Sequence, residues 1–201
     1  VSPMRPIPVL AALVMLTGCT QAAAPVVTVT SVATTTVGPD EPVSSPTGTP
    51  TPTTDAEGYV LKNVGDMASM IGQDGTTYVR FRVTKIVPGF KCTAEGSDKP
   101  ENGHYVGIWM EIWTDKAVGG DDVGSVDPTD WSVTGPTGIT ENDSSGNGYS
   151  CARDADALQD DISGAKHVRG VVVLDSKYTS GSLVFRAGLE DSGGFKYSFG
   201  S

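Results

Sequence analysis

The sequence predicts an all-β chain, an antiparallel β-sandwich of about seven strands, preceded by a disordered linker and a signal peptide. Three observations lead there. From Gly58 onward apolar and polar residues alternate in short runs, the period of half-buried strands. Glycine-rich turns separate the runs, and no regular β-α alternation appears, which favours a sandwich over a parallel sheet. Before Gly58 the chain carries neither period: an apolar stretch gives way to a Thr/Pro-rich one. A barrel has similar strand spacing and stays open as an alternative.

The elements follow in order. Arg5 is the one charge before Cys19, Ile7 to Leu16 is apolar apart from Pro8, and small residues precede Cys19. This is the charged, apolar, small order of a secretory signal. The apolar run is about 10 residues long, short of the roughly 20 that cross a bilayer. It closes on Leu16-Thr17-Gly18-Cys19, which resembles the lipobox of bacterial lipoprotein signal peptides. The resemblance implies cleavage before Cys19 and acylation of its thiol. The mature chain would then be lipid-anchored on the outer, extracellular face of the cytoplasmic membrane, since two acyl chains make a stable anchor.

Residues 19–56 read as linker. Thr20 to Ala56 holds eleven Thr, three Ser and six Pro, and no Phe, Tyr, Trp, Leu, Ile or Met. Such a composition buries too little apolar surface to offset its ordering entropy. The prolines stiffen it toward polyproline II at about 3.1 Å per residue, a maximal reach of about 110 Å. Thr49-Pro50-Thr51-Pro52-Thr53 could accept O-glycans.

Residues 57–201 form the expected domain, long enough for a real core. An early strand lies within Tyr59 to Ile71, and Gly72-Gln73-Asp74-Gly75 turns into the next. Thr76 to Val87 puts Val79, Phe81 and Val83 on one face and Arg80, Arg82 and Thr84 on the other. His104 to Thr114 puts Val106, Ile108, Met110 and Ile112 on one face. Asp130 to Thr134 is short and ends at Gly135-Pro136; Lys166 to Leu174 is β-branched; Ser182 to Ala187 and Gly194 to Phe199 complete the set. Cys151 to Asp161 reads as a short helix.

Charge and cysteine content bound the function. The formal net charge is −10, and loss of residues 1–18 removes Arg5 and no acid, leaving −11. An acidic surface repels nucleic acid and anionic head groups, and no basic-aromatic interleaving suggests a nucleic-acid partner. With Cys19 acylated, Cys92 and Cys151 remain, and an oxidising compartment favours their cross-link. The bridge would close a loop of about 60 residues, worth about 4 kcal/mol in the chain-entropy model.

Several runs together resemble a known family. Val64-Gly65-Asp66, Thr77-Tyr78-Val79-Arg80-Phe81-Arg82-Val83-Thr84 and Tyr105-Val106-Gly107-Ile108-Trp109-Met110-Glu111-Ile112 come first. Trp131-Ser132-Val133-Thr134-Gly135 and the run from Gly164 to Asp175 follow. Over about residues 64–199 the chain resembles the immunoglobulin-like (telokin-like) domain of unknown function in Gram-positive bacterial lipoproteins. The resemblance implies an immunoglobulin-like sandwich and supplies no catalytic residues. The acidic segment Glu141 to Asp161 is longer than the family's link, and Thr114-Asp115 replaces its usual Asn.

The candidate sites rest on residue types. With Val106 to Ile112 inward, Tyr105, Trp109 and Trp113 point outward on one strand, and exposed aromatics of this kind concentrate at binding surfaces. They form the candidate binding face. The acids Asp121, Asp122, Asp127 and Asp130, and Asp154, Asp156, Asp160 and Asp161, miss the spacing of a calcium loop and read as solvated surface. His104 and His167 come without a nucleophile elbow. Met67 and Met70 fit core packing better than a copper site. No metal, cofactor or catalytic residue is assigned. The expectation is a cell-surface lipoprotein with a non-catalytic binding domain for a protein or cell-wall partner. The alternative is an envelope carrier of a small ligand or metal, which would need a closed apolar pocket.

Overall fold

The computed structural model describes residues 28–29, 52–72, 74–116, 126–159, 162–186 and 193–200. The signal peptide expected at 1–18, the lipidation residue Cys19 and most of the linker lie outside the described residues. The chain forms two sheets. The first contains β1 (Thr28–Val29), β3 (Ala68–Ile71), β4 (Thr77–Pro88), β5 (His104–Thr114) and β7 (His167–Ser176), in that order. The second contains β2 (Val60–Lys62), β9 (Phe195–Phe199), β8 (Gly181–Phe185) and β6 (Trp131–Thr134), in that order. All pairings are antiparallel except that of β2 with β9, which is parallel.

The inward residues of both sheets interdigitate as in a sandwich. Phe81 on β4 meets Phe185 on β8 and Phe195 on β9, each edge-on with ring centroids 5.0 Å apart. Trp131 packs 4.7 Å from Phe185. Val83, Ile108, Met110, Leu174 and Leu183 fill the remaining space with almost no exposure. Lys62 also points inward; its Nζ donates to the Met67 carbonyl at 2.6 Å. Burial holds its ammonium below the ordinary lysine range, although Asp66 nearby pulls the other way.

The structure departs from the sequence expectation at five places. The region from Tyr59 to Ile71 makes two strands, one in each sheet, because the turn around Gly65 carries the chain across. On β4 a bulge follows Val83: Val83 faces Met110 but Lys85 faces Trp109, so Thr84 is the extra residue and Ile86 turns inward. Cys151 to Asp161 is not helical over its described residues. Its segment lies along β7 instead, where Leu158 N–H donates to Val171 O and Val171 N–H to Asp156 O. That pairing satisfies an open sheet edge, whereas an isolated helix of this length is marginal. One strand pair is parallel rather than antiparallel. Finally, ordered contacts begin before residue 57. Leu61 N–H donates to Thr53 O, and Lys196 Nζ lies 2.7 Å from Asp55.

Candidate functional site

The outer face of the first sheet is divided into a covered half and an open half. Tyr105, Gly107 and Trp109 on β5 and Val171, Val173 and Asp175 on β7 belong to the covered half. A flap built from residues 90–103 and 141–158 lies over them. Cys92 and Cys151 form a disulfide, with Cα atoms 4.5 Å apart. Thr93 and Ala94 N–H both donate to Cys151 O. Phe90 packs so closely over Gly107 that a Cβ there would sit 2.6 Å from its ring. Tyr105, Val171, Val173 and Cys151 make a second, smaller core, with Phe90 and Trp109 against it.

Tyr105 is therefore not part of an exposed aromatic face. It is 5% exposed, and its hydroxyl donates to the Asp98 carbonyl at 3.0 Å. Burial first, then the charges of Asp175 and Asp98, push its phenol above the ordinary tyrosine range. Trp109 is half-buried against the flap. The expected aromatic face reduces to Trp113. The outward direction of all three follows from strand alternation; a covering loop is a tertiary contact that alternation does not encode.

Asp175, missed in the sequence, fastens the flap. Its fully buried carboxylate accepts from the backbone N–H of Glu101 (2.6 Å), Asn102 (2.9 Å) and Asn147 (3.0 Å). The only sequence signal was an acid at the end of a β-branched run.

The open half lies toward Trp113. Register places Arg80, Trp113 and His167 side by side across β4, β5 and β7, and Arg82, Glu111 and Arg169 in the next row. The Trp113 indole stacks on the His167 imidazole, centroids 4.6 Å apart and planes 14° apart. The Arg82 guanidinium lies over the same indole, 5.4 Å from its centroid, a favourable cation–π distance. Arg82 Nε and Nη2 reach Glu111 Oε2 at 2.7 and 2.5 Å. His167 Nε2 lies 3.8 Å from the other oxygen of Glu111. Since β4 and β7 flank β5 on opposite sides, Trp113 is held between Arg82 and His167. Beside it, Thr77, Tyr78, Arg80, Trp113, Thr114 and Asp115 line an open cleft of about 310 Å³. Arg80, Arg169 and Lys166 are exposed. This arrangement can hold an anionic group; among the described residues it contains no nucleophile paired to a base.

Three of the acidic candidates have local partners. Asp127 and Asp130 cap the short turn Pro128–Asp130, each accepting from the other's end of the turn. Asp156 pairs with Arg153 at 2.7 Å. Asp121, Asp122, Asp160 and Asp161 lie outside the described residues. Among the described residues no three His, Cys, Asp or Glu side chains gather in a way that could hold a metal. His104 is exposed at the start of β5, and Met70 packs on the core.

The fold and site thus define a disulfide-clamped, two-sheet β-sandwich with one polar, cationic sheet face. No family model, curated protein or solved structure matches the chain.

Proposed function

We propose that this chain is a lipid-anchored surface protein. On this reading an immunoglobulin-like (telokin-like) sandwich binds a partner at the cell envelope without catalysis. Cys19 is the anchor, the Thr/Pro-rich linker the spacer, and the Trp113 half of the first sheet the contact surface. One observation carries the reading: a chain of formal net charge −10 presents cations around a wedged tryptophan on one sheet face. Arginine and tryptophan together are the commonest anchors of binding surfaces. The carrier alternative finds less support, because Phe81, Phe185, Phe195 and Tyr197 fill the space between the sheets.

Two measurements test the reading. Cys19→Ser should move the protein from the membrane pellet to the soluble fraction; an unchanged distribution removes the anchor. The soluble Cys19→Ser chain should then sediment with washed cell envelopes. Retention should fall at least fivefold in the added double variant Arg80→Glu, Arg169→Glu. Equal retention of both forms would show that this face is not the contact surface.

A further inference from the structure

We infer that β1 is a strap: by docking on the edge of β3 it shortens the tether and holds the Trp113 end of the first sheet near the anchor residue. The inference rests on the reading of Cys19 as the anchor and specifies how far from it the domain stands. Thr28 pairs with Ile71 and Val29 with Met70, antiparallel, so a piece of the Thr/Pro-rich linker completes the sheet. The linker sequence explains why this piece docks. Val26 to Val37 is twelve residues without Pro or charge, and ten of them are β-branched. Each of these residues brings a backbone N–H, and Val and Thr favour strands. Pro39 to Pro52 holds five Pro together with Asp40 and Glu41, so ladder pairing is interrupted there. β3 in turn is the strand that needs a partner: β4 takes one of its sides, and without β1 the other would be an open edge.

The pairing bounds a distance. A fully extended chain spans at most about 3.6 Å per residue. Nine residue steps separate Cys19 from Thr28, so with β1 docked Thr28 lies no more than about 32 Å from the anchor. With β1 released, the chain first meets the domain at Thr53, which bonds to Leu61. Thr53 is thirty-four steps from Cys19, and the ceiling rises to about 120 Å. The register also sets which end is held. Thr28 lies opposite Ile71, and Ile71 opposite Thr77 at the start of β4. The same end carries Thr114 at the finish of β5 and His167 at the start of β7. The tether therefore joins the sheet at the end that carries Trp113, away from the flap. Docked, it keeps that surface close to the membrane; released, it raises the ceiling on the reach of that surface several-fold.

Docking is tested without lipid, in the Cys19→Ser chain. Thr28→Cys with Ile71→Cys is oxidised mildly and the bridge mapped by peptide mass. Residues that face each other in an antiparallel pair stand within disulfide reach. The control is Thr47→Cys with Ile71→Cys. Thr47 is 24 residues from Ile71 and Thr28 is 43, so chain statistics alone favour the control by about twofold. The Thr28 pair is expected to close within one chain at least fivefold faster than the control. Closure no faster than the control overturns the docking. Closure only between chains, rising with concentration, gives the strand to a second copy and overturns the strap. Reach is tested with the lipidated chain in phosphatidylcholine vesicles, with a donor dye on Lys116→Cys and an acceptor dye in the bilayer. Lys116 is exposed and follows β5 by two residues, at the Trp113 end. Thr28→Pro with Val29→Pro removes both backbone donors of β1. It should lower energy transfer at least 1.5-fold while the melting temperature stays within the range of a folded domain. Equal transfer overturns the effect on reach. If the chain leaves the vesicles while the Thr28 pair still closes, the anchor reading fails and the effect on reach with it, and the docking of β1 stands.

Discussion

At the scale of single residues, Asp175 bears on how this domain responds to mutation and Lys62 on how it responds to pH. Asp175 accepts three backbone N–H bonds from the flap with no exposure to water. Asp175→Ala leaves three amides without an acceptor, and hydrogen bonds to a charged group are worth about 1.5–3 kcal/mol each. A loss of about 3 kcal/mol or more is expected in urea unfolding; a loss under 1 would mean water replaces the carboxylate. Lys62 has the opposite character. Its folded pKa lies below the ordinary lysine value, so between the two values the unfolded chain binds more protons. Stability from this group therefore rises with pH on the alkaline side, up to the ordinary value of about 10.5. The difference in stability between Lys62→Met and the parent should shift toward the parent as pH rises from 8 to 10; a flat difference would contradict the depressed pKa. Neither residue was legible beforehand. Lys62 occupies an inward position of a three-residue strand, too short for alternation to reveal its face, and Asp175 is defined by loops that arrive from elsewhere in the chain.

At the scale of elements, the longer strands were legible and their coverings were not. β5 spans His104–Thr114, the run read from alternation, and β4 and β7 differ from expectation by a residue or two at their ends. Eleven or so residues of period two admit few other structures. The bulge after Val83 was hidden, because a single inserted residue shifts a face without breaking the polar pattern. The flap escaped for a different reason. Cys151 to Asp161 has local helical character, but the edge of β7 offers it hydrogen bonds and a burial site for Leu158. Contact there is close: a Cβ on Gly170 would lie 2.4 Å from the Leu158 backbone. Gly170→Ala should therefore lift this segment and cost about 1–3 kcal/mol; a neutral effect would mean the segment yields freely. The disulfide closes the same flap across a sequence separation of 59. Cys92→Ser with Cys151→Ser should cost about 4 kcal/mol in the chain-entropy model. It should also make Trp109 more accessible to acrylamide, while Trp113 quenching changes little. Equal quenching changes at both tryptophans would contradict the division of the face into covered and open halves. The candidate site shows the same limit. Trp113 could be named from its strand, but its partners Arg82 and His167 depend on register across three strands, which no local pattern specifies.

At the scale of the molecule, short segments among the described residues pair along the outer strands of both sheets. β1 lies on β3, the Ala157 segment on β7, Thr54 on β2 and Thr140 beside β6. Covered margins suppress edge-to-edge association. Residues 52–55 belong to this protection. A chain beginning at Glu57 should melt at a lower temperature than one beginning at Pro52, since it lacks the Thr53 and Thr54 contacts and the Asp55–Lys196 pair. Equal melting temperatures would make the arm a bystander. The parallel pairing of β2 and β9 has a mechanical consequence. Tension between residues 52 and 200 first peels the short arm held by Asp55 and Lys196, then arrives at the start of β2. From there Val60, Leu61 and Lys62 must slide along Phe195, Lys196 and Tyr197, so their bonds are loaded in shear and give way together. In a force spectrometer, Lys196→Ala should lower the initial yield and leave the main rupture force in place. The domain would then meet stretching with a soft first response and a stiff second one.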